Sequence, residues 1–232
     1  MTNANELLFR CSALGQLMVE PKSKSEKISA TTKRYLVEVF VNRVYGRMKD
    51  VSTVYTRKGL QVEEDSLTLL SRVDKIFYTK NEDLFSNKFI CGTPDVIYNE
   101  KVIDVKSSWD IFTFFKTKHE DLNKDYYWQL QGYMELLNID SAELVYCLVD
   151  TPESIIKEQK RKLYYSMMVN DDTNADYLDA CKEIEKLSRY GDMWNTDKIY
   201  RIKIKRNPED IERLYKRISD CRNYLNENYF TL

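Results

Sequence analysis

Histidine, glycine and proline are scarce in this 232-residue chain, and each shortage excludes something. A single histidine, His119, cannot build a two-histidine zinc site, a nuclease motif that needs a pair of imidazoles, or a binuclear His-rich hydrolase centre. Six glycines and four prolines are too few for a turn-rich all-β sandwich or for low-complexity linkers. The five cysteines (Cys11, Cys91, Cys147, Cys181, Cys221) are odd in number, widely spaced and never in a C-x-x-C pair. That is neither a disulfide framework nor a zinc or iron–sulfur signature, so reduced, mostly buried thiols are expected. No apolar run approaches the ~20 residues of a membrane span. The first ten residues also lack a signal-peptide hydrophobic region, so the expected location is the cytoplasm, with no membrane partner. An excess of one charge is missing too. With 36 basic and 37 acidic residues, the chain is no charged tail protein and carries no global nucleic-acid signal.

What is present suits a packed core: 43% apolar residues, with 17 tyrosines among the aromatics. No repeat or linker divides the chain, so one domain over residues 1–232 is expected. Charge is locally uneven, with ten Lys/Arg against four acids from Glu20 to Leu60, then four against eight from Gln61 to Glu100. A metal site beside a polyanion groove has this pattern, and so do two solvated faces.

Apolar periodicity predicts a helix over Ser29–Lys49, on which Leu36, Phe40, Val44 and Met48 recur every four residues. A second helix is expected over Leu60–Arg72, opened by Gly59. Short strands are expected at Val73–Thr79, Lys88–Ile90, Val96–Tyr98 and Val102–Lys106. Ser107-Ser108-Trp109-Asp110 resembles a capping box before a helix bearing Phe112 and Phe115. A helix over Lys124–Asn138, a buried strand over Glu143–Asp150 and helical segments from Thr151 to about Tyr190 follow. Lys198–Lys205 reads as an edge strand and Pro208–Asn226 as an amphipathic helix. The order implies an α/β fold with a small central mixed β-sheet flanked by helices.

The chemically informative stretch runs from Gly92-Thr-Pro-Asp95 to Ile103-Asp104-Val-Lys106. Strand side chains alternate faces, so Asp104 and Lys106 share one face while Ile103 and Val105 enter the core. A hairpin can bring Asp95 beside Asp104. Two carboxylates and an ammonium there make a hard-oxygen site for Mg²⁺ or Mn²⁺, with the lysine placed to stabilise an anion or orient water. An acid-x-Lys triplet is by itself the wet face of a half-buried strand as readily as a site. Companions change that balance. Glu63 falls on a stripe with Leu60, Leu67 and Leu70, whereas Glu64 aligns with polar Thr68 and Ser71. Gln129 and Gln131 flank the core stripe Tyr127, Leu130, Met134 and Leu137.

In this order and at these intervals, five motifs resemble the PD-(D/E)XK nuclease superfamily, specifically the lambda-type phage exonucleases and YqaJ-like viral recombinase nucleases. They are Arg10-Cys-Ser12-Ala-Leu-Gly15, Lys58-Gly59-Leu-Gln-Val-Glu63, Thr93-Pro-Asp95, Ile103-Asp104-Val-Lys106 and Tyr126-Tyr127-Trp-Gln129-Leu-Gln131-Gly-Tyr-Met134. Asp104 stands where glutamate is commoner, and Ser107 where some relatives have cysteine. The resemblance implies a restriction-endonuclease-like core with Asp95, Asp104 and the Val105 carbonyl as metal ligands, and Glu63 serving a second metal. It implies that Lys106 activates or positions water and that Gln131 helps hold the water or the lysine. Arg10, Ser12, Lys58 and Gln129 are expected on the DNA side. The implied activity is Mg²⁺-dependent hydrolysis at double-stranded DNA ends, running 5′ to 3′, with Mn²⁺ able to substitute. A single-strand-annealing recombinase partner, a ring-forming homo-oligomer and, for a phage-encoded chain, the host cytoplasm are implied as well. An endonuclease or flap nuclease on the same core, or a non-catalytic DNA-binding module, are the alternatives.

Overall fold

The computed structural model describes residues 3–49 and 52–230. Its centre is a four-stranded mixed sheet in the order β4-β5-β6-β7. The strands are β4 (Val96–Tyr98), β5 (Lys101–Ser107), β6 (Ser141–Cys147) and β7 (Ile199–Lys205). β4 and β5 form an antiparallel hairpin, β5 and β6 run parallel, and β7 returns antiparallel to β6. A smaller three-stranded sheet, β1-β3-β2, joins β1 (Phe9–Arg10), β2 (Phe85–Ser86) and β3 (Ile90–Gly92).

The pleat sorts the central sheet into two faces. Val102, Leu144, Tyr146, Ile202 and Ile204 look toward the main core, under α6 (Lys124–Leu137) and α9 (Pro208–Leu225). Ile103, Val105, Val145, Cys147 and Ile199 look the other way, onto α4 (Glu63–Asp74). The remaining helices are α1 (Leu14–Leu17), α2 (Ala30–Tyr45), α3 (Val54–Gln61), α5 (Ile111–Thr117), α7 (Glu153–Ser166) and α8 (Ala175–Ser188).

Several sequence expectations change here. α2 starts after Ser29, whose side chain accepts from the Thr32 amide, but stops at Gly46 in the left-handed conformation. Met48 therefore lies beyond the helix and Val44 is exposed; of the stripe, Leu36 is the fully buried member. Gly59 does not open a helix. It lies inside α3, which Thr53 caps, and the chain breaks at Val62 before α4 begins with Glu63. Residues 73–79 form no strand: α4 runs to Asp74, Lys75 turns left-handed, and the Tyr78 amide donates to Ser71 Oγ (3.2 Å) instead of a ladder. The cap of α5 is Asp110, whose carboxylate accepts from the Thr113 amide, while Ser107 ends β5. The thiols are all free; four are buried and Cys91 is half-buried.

Candidate active site

The β4–β5 hairpin turns on Asn99 and Glu100, both at positive φ, the two-residue geometry that matches strand twist. Its register pairs Val96 with Ile103, which sets Asp95 beside Asp104 at the start of the edge strand. Asn81 clamps the approach: its amide N–H donates to the Asp95 carbonyl (2.8 Å) and its side chain to the Pro94 carbonyl (3.0 Å). Gly92 is required just upstream, because a Cβ there would come within 2.6 Å of the Tyr133 ring.

Asp104 is wholly buried. Its Oδ1 accepts from Gln129 Nε2 (3.2 Å), and its Oδ2 pairs with Lys106 Nζ at 2.7 Å. Asp95 Oδ2 accepts from the Val105 N–H (2.7 Å). The Lys106 ammonium also lies 5.0 Å from the centre of the Tyr126 ring. Burial, and then the Asp104 charge, push the Asp95 carboxyl above the usual carboxylate range, against the pull of Lys106 and the Val105 amide. Burial raises Asp104 as well, with Lys106 opposing. For Lys106, burial acts to lower the value, but Asp104 and Asp95 outweigh it and hold the ammonium above its ordinary range. Two neighbouring carboxylates that resist ionising together and share one ammonium are an arrangement that added positive charge would relieve.

Glu63 opens α4 on the other side of the edge strand. It borders a small cavity with Asp95, Val96 and Val105, and its Oε2 pairs with Lys80 Nζ (2.9 Å). The stripe that brought Glu63 inward is corrected in one respect: Leu60, before the break at Val62, is 75% exposed. Glu64 is exposed. Among the described residues, no group of three or more His, Cys, Asp or Glu side chains is placed to hold one ion. The close pair is Asp95 and Asp104; Glu63 is near enough for its charge to add to the raising of Asp95, but its own partner is Lys80.

Three expected positions move. Gln131 is not with the aspartates: its amide donates to the Lys205 carbonyl (2.8 Å) and accepts from the Asn207 N–H (2.9 Å), fastening α6 to the β7–α9 corner. Both glutamines, expected to flank the core stripe, are themselves buried, because α6 is covered around most of its girth over residues 128–134. Lys58 is 1% exposed, so it offers no surface to a phosphate; its Nζ donates to the Trp109 carbonyl (2.7 Å). Burial lowers its pKa to about 8, against the opposing charges of Asp110 and Asp150. Arg10 and Ser12 are exposed, next to Cys11, which packs where Cβ atoms on Gly92 and Gly132 would fall. On β7, Arg201 is engaged by Asp74 (2.6 Å) and Glu143 (3.2 Å).

Sequence reasoning missed Tyr133 and Lys80. The Tyr133 hydroxyl accepts from Gln129 Nε2 (3.0 Å), bracing the amide that touches Asp104. Its position one turn after Gln129 was the available signal. Lys80 lies in an irregular segment read as following a strand, and nothing local marks it as the partner of Glu63.

No protein-family model matches the chain, and no curated protein matches it. Solved structures do. A phage-related exonuclease from Haemophilus somnus 129PT superposes with a TM-score of 0.71 at 26% identity, over 96% of this chain and 95% of that one. An alkaline exonuclease from Laribacter hongkongensis gives 0.65 at 13% identity, covering 97% and 90%. The same enzyme in complex with dAMP gives 0.60 at 14% identity, covering 98% and 96%.

Proposed function

The chain has the fold of the phage-type exonucleases of the PD-(D/E)XK superfamily, and on that premise we propose that it is a metal-dependent DNA exonuclease acting on linear duplex ends. The observation that carries this reading is the meeting of Asp95, Asp104 and Lys106 at one sheet edge.

The residues present fit a hard divalent cation. The donor set is oxygen only, two carboxylates to which the resemblance adds the Val105 carbonyl, and both carboxyls are held above their usual range as expected where a positive charge would relieve them. Asp95 and Asp104 would hold the ion, and Glu63 would serve a second one from across the edge strand. Bound Mg²⁺ or Mn²⁺ supplies Lewis acidity toward the phosphodiester and a more acidic water. Lys106 then positions water or stabilises developing negative charge at the phosphoryl oxygens, with its ammonium kept protonated by the two aspartates. Gln129, braced by Tyr133, fixes the orientation of Asp104. Arg10 and Ser12 are exposed and available to DNA phosphate. With a net charge of −1, affinity must come from such local contacts.

The lambda-type resemblance extends the proposal to 5′ to 3′ polarity, a strand-annealing recombinase partner and a ring-forming homo-oligomer in a phage-infected cytoplasm. Digestion of duplexes labelled separately at each end, beside covalently closed circles, tests it. Mg²⁺-dependent release from 5′-labelled termini with circles spared is the expected result. Rapid cutting of closed circles would replace it with the endonuclease reading, and DNA binding without turnover in either metal with the non-catalytic one.

A further inference from the structure

Glu63, the acid proposed for a second cation, already has a cation on it. Lys80 Nζ pairs with Glu63 Oε2 at 2.9 Å, and the two side chains are 43% and 33% exposed. The backbone holds this lysine in place. Residues 79–84 form neither helix nor strand, yet Lys80 stands between two fastened residues. Tyr78 is tied to α4, its amide donating to Ser71 Oγ (3.2 Å) and its hydroxyl to Asp74 Oδ2 (2.8 Å). Asn81 is tied to the Asp95 loop through the Asp95 and Pro94 carbonyls. The backbone of Lys80 is thus anchored beside the acids, while its four-carbon stem stays free to turn.

The cavity between the edge strand and α4 is bordered by Lys80, Glu63 and Asp95, and at about 20 Å³ it has room for one small ion or water. A divalent ion on Glu63 there and the Lys80 ammonium are like charges at close range, so they compete for one carboxylate. The lysine is the easier to move, because a half-exposed ion pair contributes little. It also has somewhere to go. Lys80 borders a larger groove along α4, about 590 Å³, and Glu64 and Glu82 border that groove too. The charge of Glu82 already bears on the Lys80 ammonium, behind those of Glu63 and Asp95. Asp95 and Asp104 offer an ion two carboxylates, whereas Glu63 adds a single one that is already engaged.

We propose that Lys80 is a displaceable counter-ion. It neutralises Glu63 until a divalent cation takes that carboxylate, then turns into the α4 groove, so the Glu63 position fills only at higher metal concentration than the Asp95–Asp104 pair. The proposal rests on the nuclease reading and deepens it by naming the residue that governs occupancy of the second position.

Titration of the full chain with Mn²⁺ in the absence of DNA, with the free ion read by electron paramagnetic resonance, tests it. Wild type should bind one ion more tightly and a second more weakly. Lys80→Met keeps the length of the stem and removes the charge at an exposed position that threatens the fold little. It should bind the weaker ion about tenfold more tightly and the tighter one nearly as before. Lys80→Arg, which keeps the charge, should follow the wild type. Glu63→Gln, alone or combined with Lys80→Met, should leave the tighter ion only. A Lys80→Met isotherm that matches wild type would overturn the counter-ion, and so would equal tightening in Lys80→Arg. Tightening that survives Glu63→Gln would overturn it as well, because the ion would then not sit on Glu63. All three results leave the nuclease reading standing; that reading fails if wild type digests no linear duplex in Mg²⁺ or Mn²⁺.

Discussion

Asp95 is a residue whose surroundings oppose its charge. Burial and Asp104 raise its folded pKa, whereas the unfolded chain ionises it at the ordinary value. The folded state therefore binds the proton more tightly. Below the unfolded value this makes no difference, and stability falls as pH climbs from there through the raised folded value. Asp95→Asn should raise the Tm of the metal-free protein at pH 8 by several degrees and change it by nothing measurable near pH 3. Mg²⁺ should stabilise the wild type more than the variant. A thermal melt at both pH values checks both points. Lys106 separates catalysis from binding at the same scale. A lysine acting in the transition state affects turnover rather than affinity. Lys106→Ala should bind duplex ends nearly normally in Ca²⁺ and cleave at least about 100-fold more slowly in Mg²⁺. A fall in affinity with unchanged turnover per bound complex would make Lys106 a phosphate contact alone.

At the scale of elements, the break at Val62 does the positioning. Val62 buries its side chain in the second cluster, and its backbone leaves helical geometry, so α4 restarts with Glu63 as its first residue. Glu63 thereby borders Asp95 near a helix N-terminus, where a negative charge is favoured, while Glu64 is exposed. Glu63→Gln should lose most activity and Glu64→Gln little, measured as initial rates on one linear duplex. Equal losses would mean that the break does not aim Glu63 at the site. α6 has the complementary task. Its glycine at position 132 admits Cys11 and Leu14 at close range, and its buried face carries Gln129 to Asp104.

Across the whole molecule, the C-terminal helix, which carries no recognisable motif, belongs to the main core. Leu214, Ile218, Cys221 and Leu225 of α9 are buried with Leu14, Leu17 and Leu36 from the chain's start. Arg222 ties the two ends further, donating to the Leu7 carbonyl (2.7 Å) and to the Lys88 carbonyl (2.6 Å). Leu214→Ala should cost about 2–5 kcal/mol, read from denaturant unfolding, while the folded fraction keeps its turnover per molecule. Loss of turnover in fully folded Leu214→Ala protein would show that α9 shapes the site directly.

Local information determined much of this protein by itself. The hairpin from Val96 to Lys106 follows from alternation and a turn-forming Asn-Glu pair, so the neighbouring placement of Asp95, Asp104 and Lys106 was legible. Helices α6, α7 and α9 and strand β7 followed their apolar periods or alternation for the same reason: each buries a repeating face. Tertiary structure decided what depends on partners distant in the chain. Periodicity marks a residue as inward without saying what it meets. Gln129 meets Asp104, 25 residues away, whereas Gln131, two positions along the same helix, meets the backbone at Lys205 and Asn207. Lys58 looked like a phosphate ligand by motif and charge, but packing against Trp109 buries it. The segment after Asp74 had strand-like composition, yet a strand needs a neighbouring ladder, and here side chains from α4 take that place.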